Sequence, residues 1–324
     1  MSETKTIDII IPCYNEEENI DLFYEEVKKV ENDLTGYSFN YIFVDDGSKD
    51  NTLDRIKALY EKAVVDVTTV KYISFSRNFG KEAAMYAGLE VSAESSSDLT
   101  LIMDADLQHP PALIRDMILK LVETGCDCVA CRRVSRKGEP KIRSLFARMF
   151  YRIMNRYSEI EIADGAVDFR LMKKNMVRAI TSLEERQRFS KGIFAWVGFH
   201  TEWLEFENVK RISGESKWTL WGLTKYAIDG FIDFADSPLK FFGAFGSLVT
   251  VGSAIYLIIE IIKTIAFGKD TPGYASTICL ILFFGGMIVT MLGVIGEYIG
   301  RMYIETKGRP IYVEKESNID HKDR

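Results

Sequence analysis

Apolar runs rich in β-branched residues recur along the first 135 positions: IDIIIP (7–12), YIFVD (41–45), VKYISF (70–75), LTLIMD (99–104) and CVACR (128–132). Between them, stretches 16–34, 51–64, 78–92 and 111–124 space their apolar residues at i, i+3 and i+4, the period of an amphipathic helix. Strands alternating with helices predict βαβ units around a mainly parallel sheet. Ligands of such sheets bind beyond the carboxyl ends of the strands. The polar segments PCYNEEEN, DDGSKDNT, SRNFGKEA and DADLQHPP all fall at that edge.

From about residue 133 the alternation loosens into a basic helical stretch (136–157) and a polar loop, ADGAVDFRLMKK (163–174). Segment 217–240 then mixes Trp218, Leu220, Trp221, Leu223, Ile228, Phe231 and Ile232 with Lys217, Lys225 and Lys240. That mixture suits a helix lying in a membrane interface, with an amphipathic core helix as the competing reading. Two apolar runs follow, 241–262 and 274–296, interrupted only by Glu260, and each is long enough to cross a bilayer. Lys217, Lys225 and Lys240 precede the first run, Arg301, Lys307 and Arg309 follow the second, and the connection holds Lys263 and Lys269. The positive-inside bias therefore predicts a plasma-membrane protein with two spans and both termini in the cytoplasm. The N-terminus runs from polar MSETKT directly into a strand, with no signal-peptide pattern expected. The expected organisation is a catalytic domain over 1–212, an interfacial segment over 213–240, two transmembrane helices within 241–300 and a cytoplasmic tail over 301–324.

Net charge narrows the partners. The 324 residues carry a formal charge of -6, which argues against nucleic acid held through phosphate contacts. Five cysteines include the cluster Cys126, Cys128 and Cys131, but in a strand alternate side chains face opposite ways, so a shared metal is not expected. Reduced, structural thiols are the expectation.

Asp104, Asp106 and Gln108 occupy alternate positions after an apolar run. They offer hard oxygen ligands of the kind that hold Mg²⁺ or Mn²⁺ together with a substrate phosphate. Asp45 and Asp46 end the second strand, with Gly47 permitting a tight turn and Ser48 or Asp50 able to cap the next helix. A strand-end carboxylate there can accept hydrogen bonds from a ribose or base. Neither a Walker lysine motif nor G-x-G-x-x-G is present, which removes the main support for P-loop and dinucleotide readings.

Taken together, IIIPCYNEEENI, FVDDGSKDNT, SFSRNFGKEAA, MDADLQHPP, VDFRLM and RISGESKW resemble, in order and approximate spacing, the motifs of family 2 glycosyltransferases. The likeness is strongest to the polyprenyl-phosphate group, which contains dolichol-phosphate mannose synthases and bactoprenol glucosyltransferases. It covers roughly residues 5–235, and the two apolar runs resemble the bactoprenol branch. The resemblance implies a GT-A fold, Rossmann-like with a mainly parallel sheet, carried in the cytosol by interfacial helices and a two-helix transmembrane module. It implies Pro12, Tyr14, Glu16, Asp46 and Asp104 around a nucleotide sugar, and Asp104, Asp106 and Gln108 at Mg²⁺ or Mn²⁺. Arg132, Arg143 and Lys217 would meet the acceptor phosphate, and Asp168 with Arg170 would line the reaction centre, Asp164 being the alternative in the same loop.

The implied reaction is an inverting transfer of one hexose from a UDP-sugar, UDP-glucose first, to polyprenyl phosphate at the cytoplasmic membrane face, feeding cell-envelope glycosylation. UDP-N-acetylglucosamine and GDP-mannose are the alternative donors. ERQRFSKGIFAW resembles the Q-x-x-R-W signature of processive synthases, but Gln187 through Trp196 does not fit its spacing. A processive polysaccharide synthase and a non-catalytic nucleotide-sugar sensor remain competing readings, and self-association is compatible with two spans on a large domain.

Overall fold

A computed structural model of the chain describes residues 4–65, 69–134, 163, 165–206 and 273–319, with scattered positions between 245 and 266. Four strands open the chain: β1 (Lys5–Cys13), β2 (Tyr37–Asp45), β3 (Thr69–Phe75) and β4 (Leu99–Ile102). They alternate with helices α1 (Ile20–Asp33), α2 (Thr52–Val65), α3 (Lys81–Glu94) and α4 (Leu113–Thr124). Next come β5 (Cys128–Arg133), β6 (Ala166–Lys173), α5 (Lys174–Thr181), α6 (Ser190–Trp196) and β7 (Thr201–Phe206). A long helix α7 (Tyr274–Thr306) and a short strand β8 (Glu314–Ser317) complete the described residues.

The eight strands form one sheet in the order β7-β5-β6-β4-β1-β2-β3-β8. β1 pairs in parallel with both β2 and β4, so the strand order reverses beside β1. That reversal is where open α/β sheets hold ligands. β6 runs antiparallel between β4 and β5. The segment around it was expected as a polar loop. Instead Val167, Phe169 and Leu171 point into the core on one face, and Asp168, Arg170 and Met172 alternate with them on the other. Two charged residues hid an alternating strand pattern.

Alternation also divides the core. Ile7, Ile9 and Ile11 pack with α1, α2 and α4, whereas Ile10, Ile102, Cys128 and Met172 pack with α3, α5 and α6. Cys128 and Cys131, three apart on β5, fall in the second and first clusters as strand alternation dictates, whereas Cys126, expected on the same strand, precedes it and joins the first; all three are free and buried.

α3 is buried along almost its whole length. It lies against the sheet through small residues, and a Cβ added to Gly88 would collide with the side chain of Ile10. A glycine inside a helix costs about 1 kcal/mol relative to alanine. Close approach of helix to sheet accounts for its presence.

The segment expected as a cytoplasmic tail folds back into the sheet. β8 pairs antiparallel with β3, Tyr312 stacks on Phe75 at 4.6 Å between ring centroids, and Ile319 is buried. Asn318 accepts from Tyr72 N at 2.7 Å and donates to Val70 O at 3.0 Å. α7 continues past the apolar run read from the sequence, and its stretch Phe283–Thr306 is long and apolar enough to cross a membrane. Its large apolar side chains, among them Phe283, Ile288, Val289 and Leu292, are exposed. The end of α7 is latched to the α5–α6 connection: Glu305 accepts from Arg186 N at 3.0 Å, and the Arg186 guanidinium donates to the carbonyls of Arg309 and Pro310. The interfacial segment 213–240 and most of the first apolar run lie outside the described residues.

Replacing Gly88 with alanine is expected to destabilise the protein by about 1–3 kcal/mol through overpacking. The companion change Ile10→Ala is expected to have a smaller effect in that background than in the wild type. Thermal unfolding of the two single variants and the double variant measures both.

Candidate functional site

Three loops at the carboxyl edge are sewn together by backbone-to-side-chain hydrogen bonds. After β1, Asn15 takes a left-handed conformation (φ 53°); its N–H donates to Ser48 Oγ at 2.9 Å and its Oδ1 accepts from Lys49 N at 2.8 Å. Glu16 N donates to Thr52 Oγ1 at 2.8 Å, and the Glu16 carboxylate accepts from Asn19 Nδ2 at 2.7 Å. Pro12 and Tyr14 stand half-buried beside this junction. Asp50 accepts from both Thr52 N and Thr52 Oγ1 at the start of α2, the capping role its position suggested.

The adjacent carboxylates Asp45 and Asp46 separate into two tasks. Asp45 is structural, accepting from Ser48 N at 3.0 Å and Ser74 Oγ at 2.8 Å. Asp46 reaches across to the loop after β3 and accepts from Phe79 N at 2.6 Å and Gly80 N at 2.9 Å. Burial pushes its pKa up to about 6, against the pull of those two N–H groups. Gly47 has a positive φ of 64°, and a Cβ there would strike the backbone of Arg77, so the close approach of these loops requires glycine.

Strand register assembles the next feature. The antiparallel pairing of Ile102 with Arg170, carried two residues further, sets Asp104 across from Asp168. Lys81, the first residue of α3, bridges them: its Nζ lies 2.7 Å from Asp104 Oδ1, 2.9 Å from Asp104 Oδ2 and 2.8 Å from Asp168 Oδ2. Burial opposes the charge on Lys81, but the two carboxylates outweigh it and the ammonium is held protonated. Burial likewise works against ionised Asp168, yet Lys81, Lys191 and Arg170 together hold its carboxyl below the usual carboxylate range.

Sequence reading gave Lys81 no role. The available signal was its place: a lysine at the first position of a helix opposes the positive end of the helix dipole, so something else must favour it.

Asp106 is nearly buried and accepts from Gln108 N at 3.1 Å. Between them Leu107 adopts φ 54°, a left-handed conformation that costs a branched residue on the order of 1–3 kcal/mol and persists where the surroundings enforce it. Gln108 Oε1 accepts from Arg133 at 3.4 Å. Arg132, the residue read as a phosphate contact, instead pairs with Glu205 at 2.6 Å on the exposed side of β5. Alternation along the strand sends Arg133 to the Asp106 loop and Arg132 away from it. Arg170 is buried, with its guanidinium 3.5 Å from the centre of the Phe194 ring and donating to Val167 O at 3.2 Å. Its charge also favours ionised Asp168. Arg143, Lys217 and Asp164 lie outside the described residues.

Two carboxylates and a carboxamide oxygen on one strained turn make too small a donor set for an all-protein cage. They fit a divalent ion shared with a phosphorylated ligand. Among the described residues no group of three or more His, Cys, Asp or Glu side chains could hold a metal by itself.

Because Asp46 has a folded pKa near 6 and an unfolded value near 4, its stabilising contribution is fully present below about pH 4 and is lost as pH rises through about 6. The stability of the wild type relative to Asp46→Asn is expected to fall by about 2 kcal/mol between pH 4.5 and pH 7. Denaturant or thermal midpoints of both proteins at the two pH values check this.

Comparison with known proteins agrees with this architecture. Residues 8–181 match the family model described as glycosyl transferase family 2, and residues 237–302 match the GtrB C-terminal hairpin. The glycosyltransferase CsbB of Bacillus subtilis is 44% identical over 98% of this chain and 93% of its own length. A glycosyltransferase of Synechocystis is 42% identical over 96% of this chain and 95% of its own length. The prophage bactoprenol glucosyl transferase homolog of Escherichia coli is 40% identical over 95% of this chain and 98% of its own length. With its GT-A sheet and its acidic strand-end loops, this chain belongs to glycosyltransferase family 2.

Proposed function

We propose that this glycosyltransferase moves a single glucose from UDP-glucose to the phosphate of a polyprenyl lipid at the cytoplasmic membrane face, with inversion at the anomeric carbon. The observation that carries the reading is near-full-length likeness to bactoprenol glucosyl transferases, extending through the C-terminal hairpin. On this reading Asp46, with Pro12, Tyr14 and Glu16 nearby, faces the nucleotide, and Asp104, Asp106 and Gln108 would hold Mg²⁺ or Mn²⁺. That ion would neutralise charge on the departing diphosphate.

The acceptor needs little help from a base. A phosphate monoester has its second pKa near 6 and is largely a dianion at neutral pH. Asp168, held ionised by Lys81, Lys191 and Arg170, is suited to orienting charge in the site rather than to carrying a proton. Arg133, beside Gln108, adds a cation at the same edge. Arg143 and Lys217 complete the acceptor-phosphate contacts in this reading.

Sheet topology supports a two-span hairpin. β7 ends at Phe206, β8 begins at Glu314, and both belong to one sheet. A bilayer cannot pass through a hydrogen-bonded sheet, so the chain between them crosses an even number of times. α7 supplies one apolar helix and run 241–262 supplies the other. The catalytic domain and the C-terminus then share the cytoplasmic side, and the latch between Glu305 and the α5–α6 connection holds that domain at the headgroup plane.

Purified protein with polyprenyl phosphate and a panel of nucleotide sugars is expected to give one lipid product, carrying one hexose, from UDP-glucose. Mass spectrometry of the lipid decides: transfer from GDP-mannose alone, or products with several sugars, would sink the reading. Asp106→Asn is expected to reduce transfer by at least about 100-fold, the scale of losing a preorganised charge contact.

A further inference from the structure

Lys81 stands where a cation is wanted. Its ammonium contacts both oxygens of Asp104 and one oxygen of Asp168, although the side chain keeps 36% of its exposure. Its backbone is fixed: Lys81 opens α3, and the next residue, Glu82, is held by Ser190 N at 3.0 Å and by the Ser190 hydroxyl. Only side-chain torsions separate the bridging position from a neighbouring one. Asp104 is also one of the three oxygen donors assigned to the divalent ion, so one carboxylate has two claimants.

We propose that Lys81 is a resident counter-ion that fills the cation position between Asp104 and Asp168 until a donor arrives, and so makes divalent-ion binding depend on the nucleoside diphosphate. The inference rests on the metal assignment above. Electrostatics gives its direction. Without a cation, two carboxylates set opposite each other by strand pairing would repel. With Lys81 in place, a divalent ion approaching Asp104 meets a positive charge a few ångströms away and must displace it, which weakens binding of the free ion. A nucleoside diphosphate reverses the balance: its negative charges offset the ion, and its oxygens give the ammonium a second partner while Asp168 keeps the first. Ion and donor thus enter together, and the two acids are never left facing each other unneutralised.

The test is Mn²⁺ binding to the full-length protein in detergent, read from the electron paramagnetic resonance signal of free Mn²⁺, with and without UDP. Wild type is expected to bind Mn²⁺ weakly alone and roughly tenfold or more tightly with UDP. Lys81→Met is expected to bind Mn²⁺ alone roughly tenfold more tightly than wild type, with a smaller gain from UDP. Lys81→Gln, which keeps a hydrogen-bond donor between the acids, carries the same expectation should the methionine variant not fold. Wild type that binds Mn²⁺ with UDP, alongside variants that bind the free ion no more tightly than wild type, overturns the role of Lys81 alone. Wild type that binds no Mn²⁺ even with UDP overturns the metal assignment and this inference with it.

Discussion

The carboxyl edge of this sheet depends on one electrostatic settlement. Antiparallel pairing of β4 with β6 brings Asp104 and Asp168 face to face, and a cation between two facing carboxylates relieves their repulsion. Lys81 supplies it from α3. The position of α3 is in turn set by Gly88 against Ile10 and by the hold of Ser190 on Glu82. Packing deep in the domain therefore determines where one ammonium group stands at the surface. The register, the helix and the charge are one constraint seen from three sides.

The same settlement explains how an acidic site can work with an anionic donor and an anionic acceptor. Asp45 and Asp50 are consumed by turn and cap hydrogen bonds, and Asp46 is clasped by two backbone N–H groups. Lys81, Lys191, Arg170 and Arg133 border the remaining acids. Cations therefore stand among the motif acids at this edge, where an anionic ligand can meet them.

The first half of the fold was legible: β1 to β5 and α1 to α4 lie within a few residues of their expected places, because short β-branched apolar runs mark the buried strands and recurrent apolar spacing marks the helices between them. β6 was obscured by Asp168 and Arg170, whose charges are compensated by residues distant in sequence. β8 was obscured because EKES has no apolar content to advertise a strand; its fit comes from Asn318, Tyr312 and Ile319 around it. Motif spacing singled out Asp46, Asp104, Asp106, Gln108 and Asp168, and the structure gathers them in the loops and strand ends at the carboxyl edge. Spacing could not assign partners, since which of Arg132 and Arg133 turns toward Gln108 depends on strand phase at a bulge.

Pairing of β8 with β3 joins residues about 240 positions apart. During synthesis the β3 edge must stay open while the connecting chain, including the apolar helix α7, is still being made. An open edge invites pairing with other chains, and contacts between such distant residues form slowly. Closure of the sheet at this edge thus has to wait until the chain has been made through β8, so one edge of the catalytic domain is completed only after the apolar helix exists.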